Sequence, residues 1–321
     1  MDNWFSVDRR GLAKLVERKG KAFVLFELLQ NSLDTDARNV EVCLEPLAGR
    51  PAALLIVRDD NPDGFKDLTH AFTLFAESEK KSDPTKRGRF NLGEKLVLAL
   101  CDEARITSTR GSVIFEGGER RRSSSKTEAG TEFRATIRMT RAEIEQVERE
   151  IGSVLVPSGV LVTFNGRVLE PRSPLAEVEA SLATMTADAE GNLTRTKRKT
   201  TIRIFEPREG ETATIYEMGI PIVETGDRYH VDVAQKVPLT MERDNVPPAF
   251  LRDVRAAVAG VTAARLTRAV PALAQAHEVS ERTIRRYLDQ IEGLGLEASN
   301  PGPRESYLYR IASPAVVGAA S

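Results

Sequence analysis

Apolar and polar positions alternate along this chain with two clear periods. Leu25, Leu28, Leu29 and Leu33 recur at helical spacing within Phe26–Val42 and just before it, so a helix over 22–36 with one buried face is expected. The same period predicts helices over 6–18, 67–76 and 92–101. Residues 40–45 and the run Leu54, Leu55, Ile56, Val57 read as strands, the second ending in Asn61-Pro62-Asp63-Gly64, a strong turn sequence. Residues 105–116 and 131–139 read as a strand pair or meander joined by a polar loop from Gly117 to Gly130. Threaded together, these elements predict an α/β sandwich over 1–139.

Beyond it, Thr140 with Glu143 three residues on is a capping box, placed at the start of a second α/β region over 140–262. Asn165-Gly166 marks a hairpin there, and strands are expected in TTIRIFEP and ATIYEMGIPIVE. A third region, 263–321, contains PALAQAHEVSERTIRRYLDQIEGLGL. Its turn at Val279-Ser280 and its spacing of Ile284, Leu288 and Ile291 predict a helix-turn-helix, with SNPGPRESYLYRIA as a candidate wing hairpin.

The polar face of the first helix carries the chemistry. Glu27, Asn31 and Asp34 are spaced by four and then three residues, which aligns them on one helix face. An acid, a carboxamide and a second acid in this arrangement suit a hydrated Mg²⁺ beside an activated water, since Mg²⁺ prefers hard oxygen ligands. An ordinary charged surface face is the alternative. Downstream, Gly88 and Gly93 open an apolar segment, a loop feeding a helix start of the kind that binds phosphate through free N–H groups. Gly88 to Lys95 is no P-loop, because Glu94 separates Gly93 from Lys95 and no Ser or Thr follows.

Four motifs in this order resemble the GHKL ATPase superfamily, whose members include DNA gyrase, histidine kinases and the mismatch-repair protein MutL. They are FELLQNSLDTDA, RDDNPDGF, GRFNLGEK and the Gly-Thr of EAGTEFRATI. The helix motif is most similar to that of MutL. The resemblance implies a Bergerat-type ATP-binding domain, a transducer-like second domain, and ATP and Mg²⁺ as substrate and cofactor. It makes Glu27 the general base, Asn31 the Mg²⁺ ligand and Asp34 a residue at the nucleotide edge. It makes Asp60 the reader of adenine, chosen over its neighbour Asp59 by the spacing to Gly64, and Thr131 the support of that aspartate. Gly88, Leu92 and Gly93 belong to its lid motif. Lys86 lies in the polar segment expected to form the lid; Lys80, Lys81 and Arg87 also stand there as candidates to face phosphates. Lys236 is the counterpart of a transducer lysine at the γ-phosphate. Pro62 and Asn91 replace glycines of the family pattern. A nucleotide-gated protein that scarcely hydrolyses ATP is the alternative reading, and a nucleotide-dependent homodimer is the expected assembly.

Composition narrows the rest. With 321 residues, 41% hydrophobic and 29% charged, the chain has the make-up of a globular protein of two or three domains. A net charge of -1 points to no polyanionic partner for the whole chain, and no apolar run approaches a membrane span. Two cysteines, Cys43 and Cys101, both in apolar segments, suggest buried thiols and a cytoplasmic location. Two basic runs, GERRRSSSK (118–126) and RTKRK (195–199), read as mobile loops able to meet phosphate backbones. Arg282, Arg285 and Arg286 lie on the polar side of the expected second helix of the helix-turn-helix. They are candidates for DNA contact, although 251–321 holds nine arginines against seven acids. A docking or dimerisation bundle is the alternative for this region.

Overall fold

Strand β1 (Asn39–Pro46) buries Val40, Val42 and Leu44 on one side and shows Glu41, Cys43 and Glu45 on the other, the period of two that a half-covered sheet requires. It turns back into β2 (Ala52–Asp59), whose Ala53, Leu55 and Val57 face the same way. A computed structural model of the protein describes residues 8–17, 19–65, 67–73, 82–87, 93–187, 192–239 and 245–261, together with Ser280 and Arg282. Its first sheet continues with β3 (Cys101–Ser108), β4 (Gly111–Glu116), β5 (Glu119–Ser123), β6 (Thr131–Arg138), β7 (Leu161–Phe164) and β8 (Arg167–Val168). The strand order is β5-β4-β3-β6-β2-β1-β7-β8, antiparallel throughout except where β7 runs parallel to β1.

Helices line one face of this sheet. They are α1 (Arg9–Glu17), α2 (Ala22–Leu33), α3 (Gly93–Leu100) and α4 (Arg141–Ile151). Val24, Leu25, Leu28 and Leu29 of α2 share one core with Val97 and Leu100 of α3 and with the inward residues of β1, β2, β3 and β6. Each such leucine contributes roughly 1.5–3 kcal/mol on full burial, so the apolar stripe, not helix propensity, holds α2 in place.

The capping box forms: Thr140 Oγ1 accepts from the Glu143 N–H at 3.3 Å, and Glu143 Oε2 accepts from the Thr140 N–H at 2.7 Å. The helix it starts nonetheless packs in the first core, through Ile144, Val147 and Ile151. The Asn165-Gly166 hairpin also joins the first sheet. Both turn residues have positive φ (47° and 74°), as a two-residue hairpin turn demands. Asn165 Oδ1 accepts from the Leu44 N–H at 2.8 Å and pins the hairpin to β1. The boundary expected at 139/140 therefore falls inside the first layer, whose last strand ends at Val168.

The second sheet begins with β9 (Ala176–Ala187) and β10 (Leu193–Phe205), followed by β11 (Thr214–Glu217), β12 (Ile220–Glu224) and β13 (His230–Val233), in the order β12-β11-β13-β10-β9. A helix over 248–261 buries Phe250 and Val254 in a core with Leu182, Ile202, Ile204, Val231 and Val233. The two sheets meet at the β11–β12 turn. Met218 has φ 49° and Gly219 φ 91°. A Cβ on Gly219 would lie 2.1 Å from the Leu155 carbonyl oxygen, and Leu155 N–H donates to Gly219 O at 2.9 Å. Ile220 belongs to the first core, while Leu155, Phe205 and Tyr216 form a small cluster across the junction.

Several expectations change. Residues 119–123 of the first basic run form the edge strand β5, and the second run lies within β10; neither is a loop there. Their fully polar faces carry none of the apolar alternation that marks a strand. Over 67–76 the described part holds a single 3₁₀ turn, Leu68–Ala71, capped by Asp67. Cys101 is buried, but Cys43 is only half-buried. The helix-turn-helix expected over 271–296 lies outside the described residues apart from Ser280 and Arg282; Arg282 is helical and exposed. Among the described residues, no helix is long and apolar enough to cross a membrane.

Candidate functional site

The alternation of β2 decides which aspartate faces the helices. Ala53, Leu55 and Val57 point into the helix layer, and Asp59 follows them two residues on. Its Oδ2 accepts from Ser32 Oγ of α2 at 3.2 Å and its Oδ1 from the Asn61 N–H at 3.1 Å. Thr131 stands opposite it in β6, and the Thr131 main chain also bonds the carboxylate. Burial pushes the Asp59 pKa up against these hydrogen bonds, and the neighbouring charge of Asp60 adds to the rise.

Asp60 points the opposite way. It accepts from the N–H groups of Arg38 and Asn39 at 2.7 and 2.9 Å and from Asn39 Nδ2 at 2.5 Å. Slight burial opposes ionisation there, but the hydrogen bonds from Asn39 and Arg38 outweigh it and hold the pKa low. The residue chosen by its spacing to Gly64 thus caps the start of β1, on the other side of the sheet end from α2. Alternation along the strand turns Asp59 towards α2 and Asp60 away from it.

The turn after Asp59 is tight. Gly64 has φ 56°, and a Cβ there would lie 2.4 Å from Ser108 Oγ and 3.1 Å from the Gly130 carbonyl. Gly130, with φ 72°, is closer still: its Cβ would sit 1.7 Å from the Asp59 carbonyl oxygen. Both N–H groups converge on the Asn61 carbonyl at 3.0 Å. Pro62 is exposed in the turn and is tolerated where it stands.

On α2, Glu27 is buried and its Oε2 accepts from Gln30 Nε2 at 2.6 Å. Gly93 opens α3 directly against it; a Cβ at 93 would fall 1.8 Å from Glu27 Oε2. The carboxylate thus abuts the start of α3, where the helix end favours negative charge. Asn31, half-buried, follows one turn on, next to the Ser32 that bonds Asp59. The helix face carrying Glu27 and Asn31 is in this way tied to the end of β2.

Asp34 has a different occupation from the one its spacing suggested. Its side chain is 0% exposed, with Oδ1 2.7 Å from Arg87 Nη1, and both carboxylate oxygens accept from the Arg87 N–H at 3.0 and 2.9 Å. Arg87 Nη2 also donates to the Met218 carbonyl of the second sheet. Arg87 is therefore buried in a structural clamp and does not face open solvent as a phosphate ligand would. Lys236 approaches the same segment from the other side. It is fully buried, its N–H donates to Pro84 O at 2.8 Å, and its carbonyl accepts from Thr184 Oγ1 at 2.8 Å. Lys86 is half-buried in the segment. The Asp83 carboxyl beside it is held low, burial being outweighed by Thr85 and by the charges of Lys86 and Lys236.

Of the expected residues, Glu27, Asn31, Gly93, Gly64 and Thr131 surround the α2–β2 corner, Asp34 and Lys86 lie where the 82–87 segment meets it, and Lys236 reaches that segment from the second layer. Asp60 is turned away. Gly88 and Leu92, like Lys80, Lys81, Arg285 and Arg286, lie outside the described residues. Sequence reading assigns no role to Ser32, which sits inside the helix motif itself, or to Gly130, the glycine of the Gly-Thr pair, and it offers Asp59 only as the alternative to Asp60. Among the described residues no cluster of three His, Cys, Asp or Glu could hold a metal.

No family profile and no curated protein matches the chain. Among solved structures it is similar to the ATPase region of Saccharomyces cerevisiae topoisomerase II, with 10% identity and a TM-score of 0.45 over 72% of this chain and 78% of that one. The same region bound to ICRF-187 (dexrazoxane) gives 11% identity and a TM-score of 0.44, covering 72% and 79%. The ATPase and transducer domains of DNA topoisomerase II from Balamuthia mandrillaris give 12% identity and a TM-score of 0.45, covering 73% and 81%.

Proposed function

We propose that the chain binds ATP at the α2–β2 corner and hydrolyses it slowly, with Asp59 in place of Asp60 as the acceptor for the adenine amine. The observation that carries this reading is the Asp59 carboxylate. It is turned into the helix layer, oriented by Ser32 and Asn61, and bordered by Gly64 and Gly130, whose backbones leave no room for side chains. Glycine at 64 and 130 lets the turn close against Ser108 and the Asp59 carbonyl, which fixes the direction of the one acceptor that would select an exocyclic amine. The four sequence motifs resembling GHKL ATPases support the same reading.

Glu27 polarises the attacking water. Glu27 and Asn31, one turn apart, carry a carboxylate and an amide oxygen, hard ligands that would suit Mg²⁺ with water and phosphates completing its shell. The ion would supply neutralisation of triphosphate charge, the dominant need in phosphoryl transfer. Lys236 and Lys86 bring positive charge to the base of the lid. Nucleotide then biases the contact between the two layers through the 82–87 segment, and a homodimer with a DNA-contacting C-terminal region completes the scheme. The second reading, nucleotide binding almost without turnover, is favoured by the 2.6 Å bond from Gln30, which occupies a lone pair of the base.

Calorimetry with ATP and GTP tests the assignment. Asp59→Asn should weaken ATP binding by ~1–3 kcal/mol, since a buried acceptor becomes a mismatched donor, and should narrow the preference for ATP. Asp60→Asn should stay within a few-fold of the parent. The opposite ranking overturns the site.

A further inference from the structure

The run RTKRK, placed on a strand, acquires a geometry that a loop lacks. From 193 to 201 β10 pairs with β9 alone, because β13 joins it only at Ile202. Alternation puts Arg195, Lys197 and Lys199 on one face of this two-stranded ribbon, opposite Met185, Ala183 and Ser181 of β9. All three are exposed. Residues 180–187 of β9 carry no charge, so no acid lies across from them. The ion pairs the face does make are long and exposed: Lys197 Nζ to Asp253 at 3.8 Å and Lys199 Nζ to Glu179 at 3.5 Å. Pairs of this kind contribute little. Arg195 makes no ion pair among the described residues. The ribbon is held from behind, where Gln235 Nε2 donates to the carbonyls of Leu182 and Ala183 at 3.3 and 3.2 Å and Thr184 Oγ1 bonds Lys236 O.

We propose that the Arg195–Lys197–Lys199 face of the β9–β10 ribbon binds the phosphodiester backbone of a nucleic acid. Alternate residues of a strand advance about 6.8 Å, comparable to the separation of successive phosphates along one nucleic-acid strand. Three cations at this interval, beside the uncharged Met185, Ala183 and Ser181, can reach successive phosphates. Contacts of this kind position a protein on nucleic acid without reading its sequence. None of these three side chains is among the residues assigned to the nucleotide site.

Binding of a short mixed-sequence DNA duplex to the full chain, measured by fluorescence anisotropy across a salt series, tests this. Each neutralised phosphate contributes about −0.9 to the slope of log K against log salt. The variant Arg195→Ala/Lys197→Ala/Lys199→Ala should lose about 2.7 from that slope, so the parent sheds about 40-fold more affinity than the variant between roughly 50 and 200 mM salt. Its melting temperature should match the parent's, because the three side chains are exposed. The charge-preserving Arg195→Lys/Lys197→Arg/Lys199→Arg variant should keep the parent slope. Arg198→Ala, on the other face of the same strand, should leave it unchanged. An unaltered slope in the alanine variant overturns the proposal. So does an equal loss per charge from Arg198→Ala, which would show diffuse attraction only, or competition by polyglutamate as effective as by DNA, which would assign the face to acidic protein.

Discussion

Asp34 and Arg87, 53 residues apart in sequence, form the buried ion pair that ties α2 to the 82–87 segment. The structure predicts unequal costs for removing the two partners. Asp34→Ala leaves the guanidinium in a site that exposes 5% of the Arg87 side chain. Among the described residues its remaining acceptor is the Met218 carbonyl, and Nε has no partner there. Stranding one member of a buried pair typically costs 3–5 kcal/mol, and about 4 kcal/mol is expected here. Arg87→Ala is milder, because the Asp34 carboxylate keeps the main-chain N–H of residue 87. It loses one charge-assisted hydrogen bond, worth about 1.5–3 kcal/mol. The double alanine variant should fall short of the sum by about 1.5 kcal/mol or more, since neither charge is then left alone. Urea unfolding followed by far-UV circular dichroism reads these as midpoint shifts, about 1–2 M for Asp34→Ala. Additive effects in the double variant, or a larger loss for Arg87→Ala than for Asp34→Ala, would refute the clamp.

Glu27→Gln should cut ATP hydrolysis by ~10²–10⁴-fold, the usual contribution of a general base, with binding held within a few-fold; phosphate release and calorimetry measure the two, and undiminished turnover removes Glu27 from the mechanism. His230 should make stability pH-dependent. It is 1% exposed, its Nδ1 accepts from the Thr214 N–H at 3.1 Å, and Nε2 meets Glu211 at 2.9 Å. Burial lowers its pKa despite Glu211, with Arg172 adding to the fall. A lowered pKa means the unfolded chain binds the extra proton first, so stability should hold above the ordinary histidine value of about 6.5 and decline as pH drops below it towards the folded pKa. Melting temperatures of the parent and His230→Gln from pH 7.5 down to about 5 check the sign; parallel profiles would exclude His230 as the source.

Elements whose stability comes from their own apolar pattern were legible in the sequence. The stripe of Leu25, Leu28 and Leu29 and the run ending at Val57 gave α2 and β2 within three residues at each end. Strands without an apolar pattern of their own, or with partners distant in sequence, were not. β5 and the basic half of β10 contain too few apolar residues to announce themselves, and only their pairing with β4 and β9 makes them strands. The parallel addition of β7 to β1 joins segments about 120 residues apart, which no local period reveals. The corner itself was legible in its residue types, but its orientation was not. An unbroken apolar run hides the parity of a strand, and parity alone separates Asp59 from Asp60. Asp34 was read from its helix position, whereas its partner Arg87 could be found only in three dimensions.

The turn at Met218 and Gly219 has a consequence for how the molecule comes apart. Ile220 is an interior residue of the first core that is covalently part of the second sheet, and Gly219 accepts a main-chain hydrogen bond from Leu155 where no larger residue fits. Neither sheet completes its own interior. The two layers should melt in one cooperative transition, and a protease cut in the link between Val168 and Ala176 should yield fragments that stay associated, behaving as two subunits of an obligate complex.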